Sequence, residues 1–236
     1  MAQTILLGLT STEKDRIPAF VDDVRHSDVR EIALFPTVLD RSEREELYAE
    51  LASIPGLRIP HVHLRTDFDE SEMRFVVKKF SVELFNIHPR SSGHPFGDVP
   101  TAFAKSVYVE NVEVPVDDAE LEGLGGMCPD YSHLENARLV GRSEYVAVTE
   151  RQLRRHRIGC CHVSAIRLGD PSPWSGGADH HNYKTLSDFD YLARYAYALP
   201  DRWISLELEN SLNEQLEAAR YVRELLLDGL ARSAAD

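Results

Sequence analysis

Short apolar segments of strand type recur along this chain, and amphipathic segments of helical type lie between them. This alternation is typical of parallel strands joined by helical crossovers. The predicted strands span residues 4–9, 31–36, 58–64, 82–88, 106–113, 125–130, 158–164 and 203–209. A chain of 236 residues that is 43% hydrophobic can bury a barrel core, and no Gly/Ser-rich or Pro-rich linker divides it. The pattern therefore predicts a single α/β domain over residues 1–236, folded as a (β/α)8 barrel.

The predicted helices carry start signals and apolar stripes. A Ser or Thr followed three residues later by an acidic or amide residue has the spacing of a capping box, or close to it. Such pairs are Ser42 with Glu45, Thr149 with Gln152, Ser187 with Asp190, and Ser211 with Glu214. After Ser42, the apolar residues Leu47, Leu51 and Ile54 are four and three positions apart, so they share one helical face. We interpret these stripes as core-packing faces.

The net charge of the chain is strongly negative, at −13. Nucleic-acid binders usually present a clustered basic face, so this charge argues against a nucleic-acid partner. No run of about 18 apolar residues predicts a membrane span, and the first ten residues lack the features of a signal peptide. A cytoplasmic protein without membrane contact is expected, acting on a small molecule as a monomer or a homo-oligomer.

Three cysteines, Cys128, Cys160 and Cys161, do not make an even disulfide framework. We predict that they are reduced thiols. Because successive side chains of a strand point to opposite faces, the adjacent residues Cys160 and Cys161 are expected on opposite sides of the sheet.

Many of the ten histidines lie near the ends of predicted strands, where a barrel builds its active site. Several acidic residues lie there too. In chain order the set is His61, His63, His88, Glu110, Asp130, His133, His162, Asp179, His180, His181 and Glu207. Their position, more than their number, indicates a site at the C-terminal end of the barrel.

Two acids stand out because they lie among apolar residues. Glu110, in VYVEN, and Glu207, in ISLELEN, are each flanked by strand residues, and a buried carboxylate costs several kcal/mol unless it is paired or bound to a metal. A salt bridge or an exposed strand end would explain each acid equally well when it is taken singly. His162 by itself is most simply a satisfied core histidine.

Taken together, these residues indicate a metal. Asp130 and His133 have D-x-x-H spacing after an apolar segment, so both can reach one pocket. Glu110, Asp130, His162 and Glu207 come from four successive predicted strands, and a mixed carboxylate and imidazole set suits Mn²⁺, Mg²⁺, Co²⁺ or Zn²⁺. The sequence therefore predicts a divalent-metal site built from these four residues.

Four segments resemble the xylose isomerase-like TIM barrels, the superfamily of sugar isomerases and epimerases that also contains the apurinic endonucleases. They are VYVEN at the fifth strand, GGMCPDYSHLENA at the sixth, IGCCHVSAIR at the seventh and WISLELEN at the eighth. The resemblance covers most of the chain through their order and spacing. It implies that Glu110, Asp130, His162 and Glu207 bind one divalent metal.

The resemblance also implies roles in catalysis. In the epimerase and ketose isomerase branches, the residues that match Glu110 and Glu207 lie on opposite sides of a substrate carbon and move a proton. The metal would polarise a carbonyl while a carboxylate abstracts the adjacent proton. His133 would contact the substrate, and Arg167 could hold a substrate oxygen or phosphate.

The endonuclease branch has a longer ligand list for three zinc ions, and this chain matches more of that list than an isomerase needs. His61 or His63, His88, and the D-x-H pair Asp179 with His181 lie near such positions. Each is a candidate for an additional metal, and His63, His88 and His181 are also candidates for substrate binding. The chain departs from many relatives after the D-x-H loop, where NYKTLSDFDYL contains no glycine.

The leading hypothesis from the sequence is a metal-dependent isomerase or epimerase acting on a small sugar, sugar acid or polyol. A lyase or dehydratase acting on a keto-polyol would use the same residues. The alternatives are a zinc-dependent phosphodiesterase or endonuclease of the same barrel type, and a barrel that binds a metal or ligand without catalysis.

Overall fold

The computed structural model describes residues 3–112, 114–172 and 176–233. Strands within these ranges are β1 (Thr4–Thr10), β2 (Glu31–Phe35), β3 (Arg58–His63), β4 (Leu84–Ile87), β5 (Val107–Glu110), β6 (Met127–Cys128), β7 (Cys160–Val163), β8 (Ala165–Ile166), β9 (Asp179–His180) and β10 (Trp203–Leu206). The α-helices are α1 (Ile17–His26), α2 (Arg41–Ala52), α3 (Glu70–Phe80), α4 (Asp118–Gly123), α5 (Tyr131–Leu139), α6 (Ser143–Arg155) and α7 (Leu212–Ser233). The 3-10 helices are Lys14–Arg16, Ala104–Ser106 and Leu186–Ala198. Among the described residues, no helix combines the length and apolar composition needed to cross a membrane.

Eight of these strands form one parallel sheet in the order β6-β5-β4-β3-β2-β1-β10-β7. The two ends of this sheet meet through isolated parallel bridges between Met127 and Ile158 and between Asp130 and His162. The sheet is therefore a nearly closed barrel with helices between its strands, and the predicted (β/α)8 fold class is confirmed. That residues 1–236 form a single domain remains a prediction.

Each predicted strand overlaps a barrel strand, but the barrel strands are mostly shorter. β6 is the clearest case, because it covers two of the six residues predicted at 125–130. It ends early because the side-chain amide of Asn111 bonds both the N–H and the carbonyl of Asp130, each at 2.9 Å, in place of a strand ladder. β5 ends at Glu110, and Glu113, the predicted end of this strand, lies outside the described residues.

One of the predicted helix starts is confirmed. The backbone N–H and the hydroxyl of Ser211 donate to Glu214 at 2.8 and 2.7 Å, at the start of α7. Thr149, by contrast, lies inside α6, and the amide of Gln152 donates to the carbonyl of Val116 instead of capping a helix start. The observed N-terminal caps elsewhere are Asp40 with Glu43 for α2, Arg142 for α6, and Thr185 with Asp188 for the 3-10 helix Leu186–Ala198. The starts predicted at Ser42, Thr149 and Ser187 are therefore wrong.

The N-terminal half of the barrel interior is apolar. Its residues are Leu6, Ala33, Leu84, Tyr108, Cys128, Cys160 and Trp203, and Phe35, the last residue of β2, extends the cluster to His162. Cys161 packs instead in the larger core between the strands and the helices, so the two adjacent cysteines face opposite sides of β7 as predicted. All three cysteines are free thiols.

Farther along the same inward faces, towards the C-terminal ends of the strands, the side chains become polar. The buried ones are His61, His63, Asn86, Glu110, Asp130, His162, Ser205 and Glu207. Burying groups of this kind is costly unless each finds a hydrogen-bond partner, an opposite charge or a metal. The alternation of side chains along each strand therefore places the candidate residues together at one end of the barrel.

Candidate metal centre

The four residues predicted as metal ligands converge at the C-terminal end of the barrel. Nδ1 of His162 lies 3.2 Å from Oε2 of Glu207, 3.5 Å from Oε2 of Glu110 and 4.0 Å from Oδ2 of Asp130. All four side chains are buried. Glu110 and Glu207 thus face a shared group of donors with Asp130 and His162, and among the described residues no arginine forms a salt bridge with either glutamate.

The two carboxylate oxygens of Asp130 have different roles, one in capping a helix and one in the candidate site. Oδ1 caps α5 by accepting the N–H of His133 at 2.9 Å and the hydroxyl of Ser132 at 2.5 Å. Oδ2 is buried without a hydrogen-bond partner among the described residues. Because the cap and Asn111 fix the backbone and the carboxylate together, this free oxygen is held towards His162.

A second group of donors lies on the other side of Glu110. His63 Nε2 is 3.9 Å from Oε2 of Glu110, and the rings of His63 and His88 are 4.9 Å apart, centre to centre. One donor atom from each of these three residues lies within 4.8 Å of the other two. Since the same Glu110 oxygen is also close to His162, this carboxylate stands between two groups of donors.

A third group forms the rim of the site. Nδ1 of His133 lies 3.0 Å from Oδ2 of Asp179, which comes from the small antiparallel pair β8–β9. His181 follows this pair, with Nε2 3.9 Å from Oε1 of Glu207. The His133 and His181 side chains are 29% and 26% exposed, so the rim group separates the buried donors from solvent. A cavity of about 210 Å³ opens beside His133 and Asp179.

Several buried donor atoms in the site lack a hydrogen-bond partner among the described residues. They are Asp130 Oδ2, His63 Nδ1 and His162 Nε2. A buried nitrogen or oxygen without a partner costs about 1–3 kcal/mol, so a cluster of them needs an explanation. Imidazole nitrogens and carboxylate oxygens at these spacings fit a divalent ion such as zinc or manganese.

Burial and crowding of the carboxylates change the pKa values of the central residues. Burial raises the pKa of Glu110 to about 8, against the opposing charge of His162 and with the help of Glu207 and Asp130. Burial lowers the pKa of His162, but the carboxylates of Glu110 and Glu207 outweigh it and raise that pKa to about 9. The site therefore holds extra protons near neutral pH, and a bound cation would displace them.

The surrounding histidines divide into two types. Burial lowers the pKa of His63, and it lowers the pKa of His88 to about 4, with nearby imidazoles acting in the same direction. Both are neutral at pH 7 and can offer a lone pair. Burial also lowers the pKa of His133, but the charges of Asp130 and Asp179 outweigh it and raise this pKa well above its usual value.

Two predicted residues lie apart from this cluster. His61 lies deeper in the barrel, where Nδ1 is 2.7 Å from Ser205 Oγ and Nε2 is 2.9 Å from Asn86 Oδ1. Arg167 points to the loop after β8, where its guanidinium contacts Asp170, Asn182 and His180. A role for Arg167 in substrate binding remains a prediction.

The sequence reasoning missed several residues that hold the site. Asn86 donates to Glu110 at 2.7 Å, and Asn111 fixes the backbone of Asp130. The Thr12 hydroxyl lies 3.3 Å from Nδ1 of His181. The ring of Phe35 packs edge-on against His162 with centres 4.9 Å apart. Asn86 and Asn111 had a usable signal, because an amide next to or inside a buried strand requires partners.

The fold and this site define a (β/α)8 barrel with buried groups of His, Asp and Glu that could hold a metal. No family model and no curated protein matches the chain. Among solved structures, the chain is similar to SacUVDE, at 13% identity and a TM-score of 0.50, over 95% of this chain and 99% of that one. It is also similar to the IOLI protein with a bound zinc atom, at 11% identity and a TM-score of 0.53, over 96% of this chain and 98% of that one. These two likenesses show the shared barrel fold, which agrees with the fold that the resemblance in the sequence implied.

Proposed function

We propose that this chain is a divalent-metal-dependent hydrolase that cleaves phosphate esters, and that its centre holds more than one metal ion. The observation that carries the proposal is the position of Glu110 between two groups of donors. Oε2 of this residue is 3.5 Å from Nδ1 of His162 and 3.9 Å from Nε2 of His63. If each group held one divalent ion, Glu110 would contribute to both sites.

The number of potential metal-binding side chains supports the same conclusion. Asp130, His162 and Glu207 would complete one ion site with Glu110, while His63 and His88 would complete the other. A single-metal enzyme would give no role to His63 and His88, which are both neutral at pH 7 and lie beside Glu110. Zinc is the first ion to test, because the structurally similar IOLI protein binds a zinc atom.

The bound ions would polarise a phosphoryl oxygen and activate a water molecule. The residues of the chain would then orient the ester. His133 is held by Asp179 through Nδ1 at 3.0 Å, and its raised pKa keeps the imidazole protonated at neutral pH. Because this ring lies at the partly exposed rim, it can donate a hydrogen bond to a phosphate oxygen as the substrate enters. The same proton is available to a departing alkoxide.

A second candidate function is the isomerase or epimerase reaction on a small sugar, sugar acid or polyol. The four-residue group of Glu110, Asp130, His162 and Glu207 is sufficient for one metal and contains two glutamates that could move a proton. The net charge of −13 favours this candidate over an extended nucleic-acid substrate. A small phosphodiester needs only local positive charge and is compatible with the same surface.

Metal content and two substrate classes distinguish the candidates. Elemental analysis of the zinc-reconstituted protein is expected to give two or more equivalents, together with hydrolysis of bis(p-nitrophenyl) phosphate. His88→Ala should lose about one equivalent and most of the hydrolysis, while His94→Ala, at an exposed histidine in the following loop, should change neither. One equivalent of metal with turnover of an aldose or ketose would replace the hydrolase with the isomerase. No metal after reconstitution would contradict both.

A further inference from the structure

A chain of buried hydrogen bonds crosses the barrel beneath the candidate metal centre. Ser205 Oγ lies 2.7 Å from His61 Nδ1, His61 Nε2 lies 2.9 Å from Asn86 Oδ1, and Asn86 Nδ2 lies 2.7 Å from Glu110 Oε2. Its four members come from β10, β3, β4 and β5, and none is more than 2% exposed. Three contacts of normal length in a buried environment make a connected network that ends on Glu110.

The donors and acceptors along this chain can be assigned from its two ends. A metal-bound Glu110 is an ionised carboxylate and only accepts, so Asn86 must present its NH₂ group to it. The amide oxygen of Asn86 then faces His61 Nε2, which must carry the proton. Nδ1 is left with its lone pair and accepts the hydroxyl of Ser205. Rotating the Asn86 amide would set its oxygen against the Glu110 carboxylate, so the opposite direction is excluded.

We infer that His61 and Asn86 are positioning residues that fix which oxygen of Glu110 faces the metal centre. This inference rests on the proposed role of Glu110 as a metal ligand. The bond from Asn86 holds Oε2, the oxygen that also lies near His162 and His63. His61 in turn prevents rotation of the Asn86 amide, and Ser205 fixes the tautomer of His61.

The same assignment separates His61 from metal binding. His61, Cys128 and Cys160 form another buried group whose donor atoms lie within 4.8 Å of one another. Because Nε2 carries a proton donated to Asn86, and Nδ1 accepts from Ser205, neither nitrogen of His61 has a free lone pair. Cys160 Sγ, 3.6 Å from Nε2, can share that proton as a weak acceptor. His61 therefore acts on the centre through Asn86 and Glu110.

Zinc affinity tests the inference without reference to any substrate. The full-length protein is loaded with Zn²⁺ and titrated with a chromogenic chelator. Asn86→Leu and His61→Leu are expected to weaken zinc binding about 10-fold or more, the usual effect of removing a partner of a metal ligand. His61→Gln should recover much of this affinity, because its amide can donate to Asn86 and accept from Ser205. Ile204→Val, which shortens a buried side chain in the core outside the barrel, should leave zinc affinity unchanged.

An NMR measurement on the wild-type protein tests the direction of these hydrogen bonds even if a variant folds poorly. In the zinc-loaded wild-type protein, the ¹⁵N shifts of His61 should identify the neutral tautomer with the proton on Nε2. A proton on Nδ1, or wild-type zinc affinity in folded Asn86→Leu, would overturn the inference. Wild-type zinc binding without phosphodiester hydrolysis would contradict the proposed function alone, so the two failures are distinguishable.

Discussion

Oε2 of Glu110 lies 3.5 Å from Nδ1 of His162, with both side chains buried at the C-terminal end of the barrel. The pKa of Glu110 is raised to about 8 and that of His162 to about 9, so at neutral pH both groups bind protons in the metal-free protein. A divalent ion competes with these protons for the same atoms. Metal binding and pH are therefore linked at this pair.

The first prediction concerns the stability of the metal-free protein as a function of pH. The pKa of Glu110 rises from an ordinary 4.5 to about 8 in the folded state, and that of His162 rises from 6.5 to about 9. At any pH between a group's ordinary pKa and its folded pKa, the folded state binds more protons than the unfolded state. The contribution of each group is therefore complete below its ordinary pKa and is lost as pH rises through 8 for Glu110 and 9 for His162. The melting temperature of the chelator-treated protein should fall between pH 6.5 and 9.

Zinc should reverse this trend, because it binds the deprotonated groups. The stabilisation by a fixed excess of Zn²⁺, measured as the shift in melting temperature, is expected to grow from pH 6.5 to pH 8.5. Glu110→Gln supplies the control, since it removes one titrating group and should flatten the pH dependence of the metal-free protein. A zinc-induced shift that is the same at every pH would contradict this account of the site.

The second prediction separates the two functions of Asp130. Asp130→Asn keeps Oδ1 as the cap of α5 but removes the charge, so we expect at least 10-fold weaker zinc binding with little change in the free energy of unfolding without metal. Asp130→Ala removes the cap as well and should lower that free energy by about 1 kcal/mol more. Chelator competition and urea unfolding in EDTA measure the two effects. Equal unfolding free energies for the two variants would show that the cap contributes nothing.

Strand alternation explains why much of the site could be predicted from the sequence. Glu110, His162 and Glu207 share the inward faces of their strands with apolar residues of the interior, so the spacing alone placed them together. His61 and His63 share a face for the same reason. The spacing could not determine how deep each histidine lies in the barrel. His61 lies deeper and contacts Asn86, whereas His63 lies near Glu110.

The rest of the site depends on tertiary contacts with no local signature. Asn111 meets Asp130 only when β5 and β6 lie side by side, and Thr12 meets His181 across 169 positions of sequence. The wrong helix start at Thr149 has a similar cause, because this residue is buried within α6, where neighbouring elements decide the helix boundary. Local capping patterns compete with such packing and do not always prevail.

The third prediction concerns the bottom of the barrel, where Gly159 makes room for an aromatic ring. A Cβ added at this position would lie 2.1 Å from the ring of Tyr108, which is buried and cannot move aside without disturbing the interior cluster. Gly159→Ala should therefore destabilise the fold by about 1–3 kcal/mol in urea unfolding. Gly169→Ala has no neighbour within 4 Å but has a φ of +76°, so it provides a comparison of backbone strain without a clash. If the added methyl acts through the clash, the double variant Gly159→Ala/Tyr108→Leu should recover part of the loss.

The last prediction follows from the single proton of the Thr12 hydroxyl. Thr12 donates it to the carboxylate of Glu209, so the hydroxyl can only accept from Nδ1 of His181, 3.3 Å away. His181 then keeps its proton on Nδ1, and its Nε2 lone pair points to the centre, 3.9 Å from Glu207 Oε1. Thr12→Val keeps the shape but removes the acceptor, so zinc affinity should fall about 10-fold.

Thr12→Ser is the matched control, because it retains the hydroxyl and should bind zinc like the wild-type protein. The tautomer of His181, read from its ¹⁵N shifts, should change in Thr12→Val and remain unchanged in Thr12→Ser. A loss of zinc affinity in both variants would point to the methyl group and to packing around Thr12. Unchanged affinity in Thr12→Val would instead place His181 outside the metal centre, as a residue free to meet the substrate at the rim.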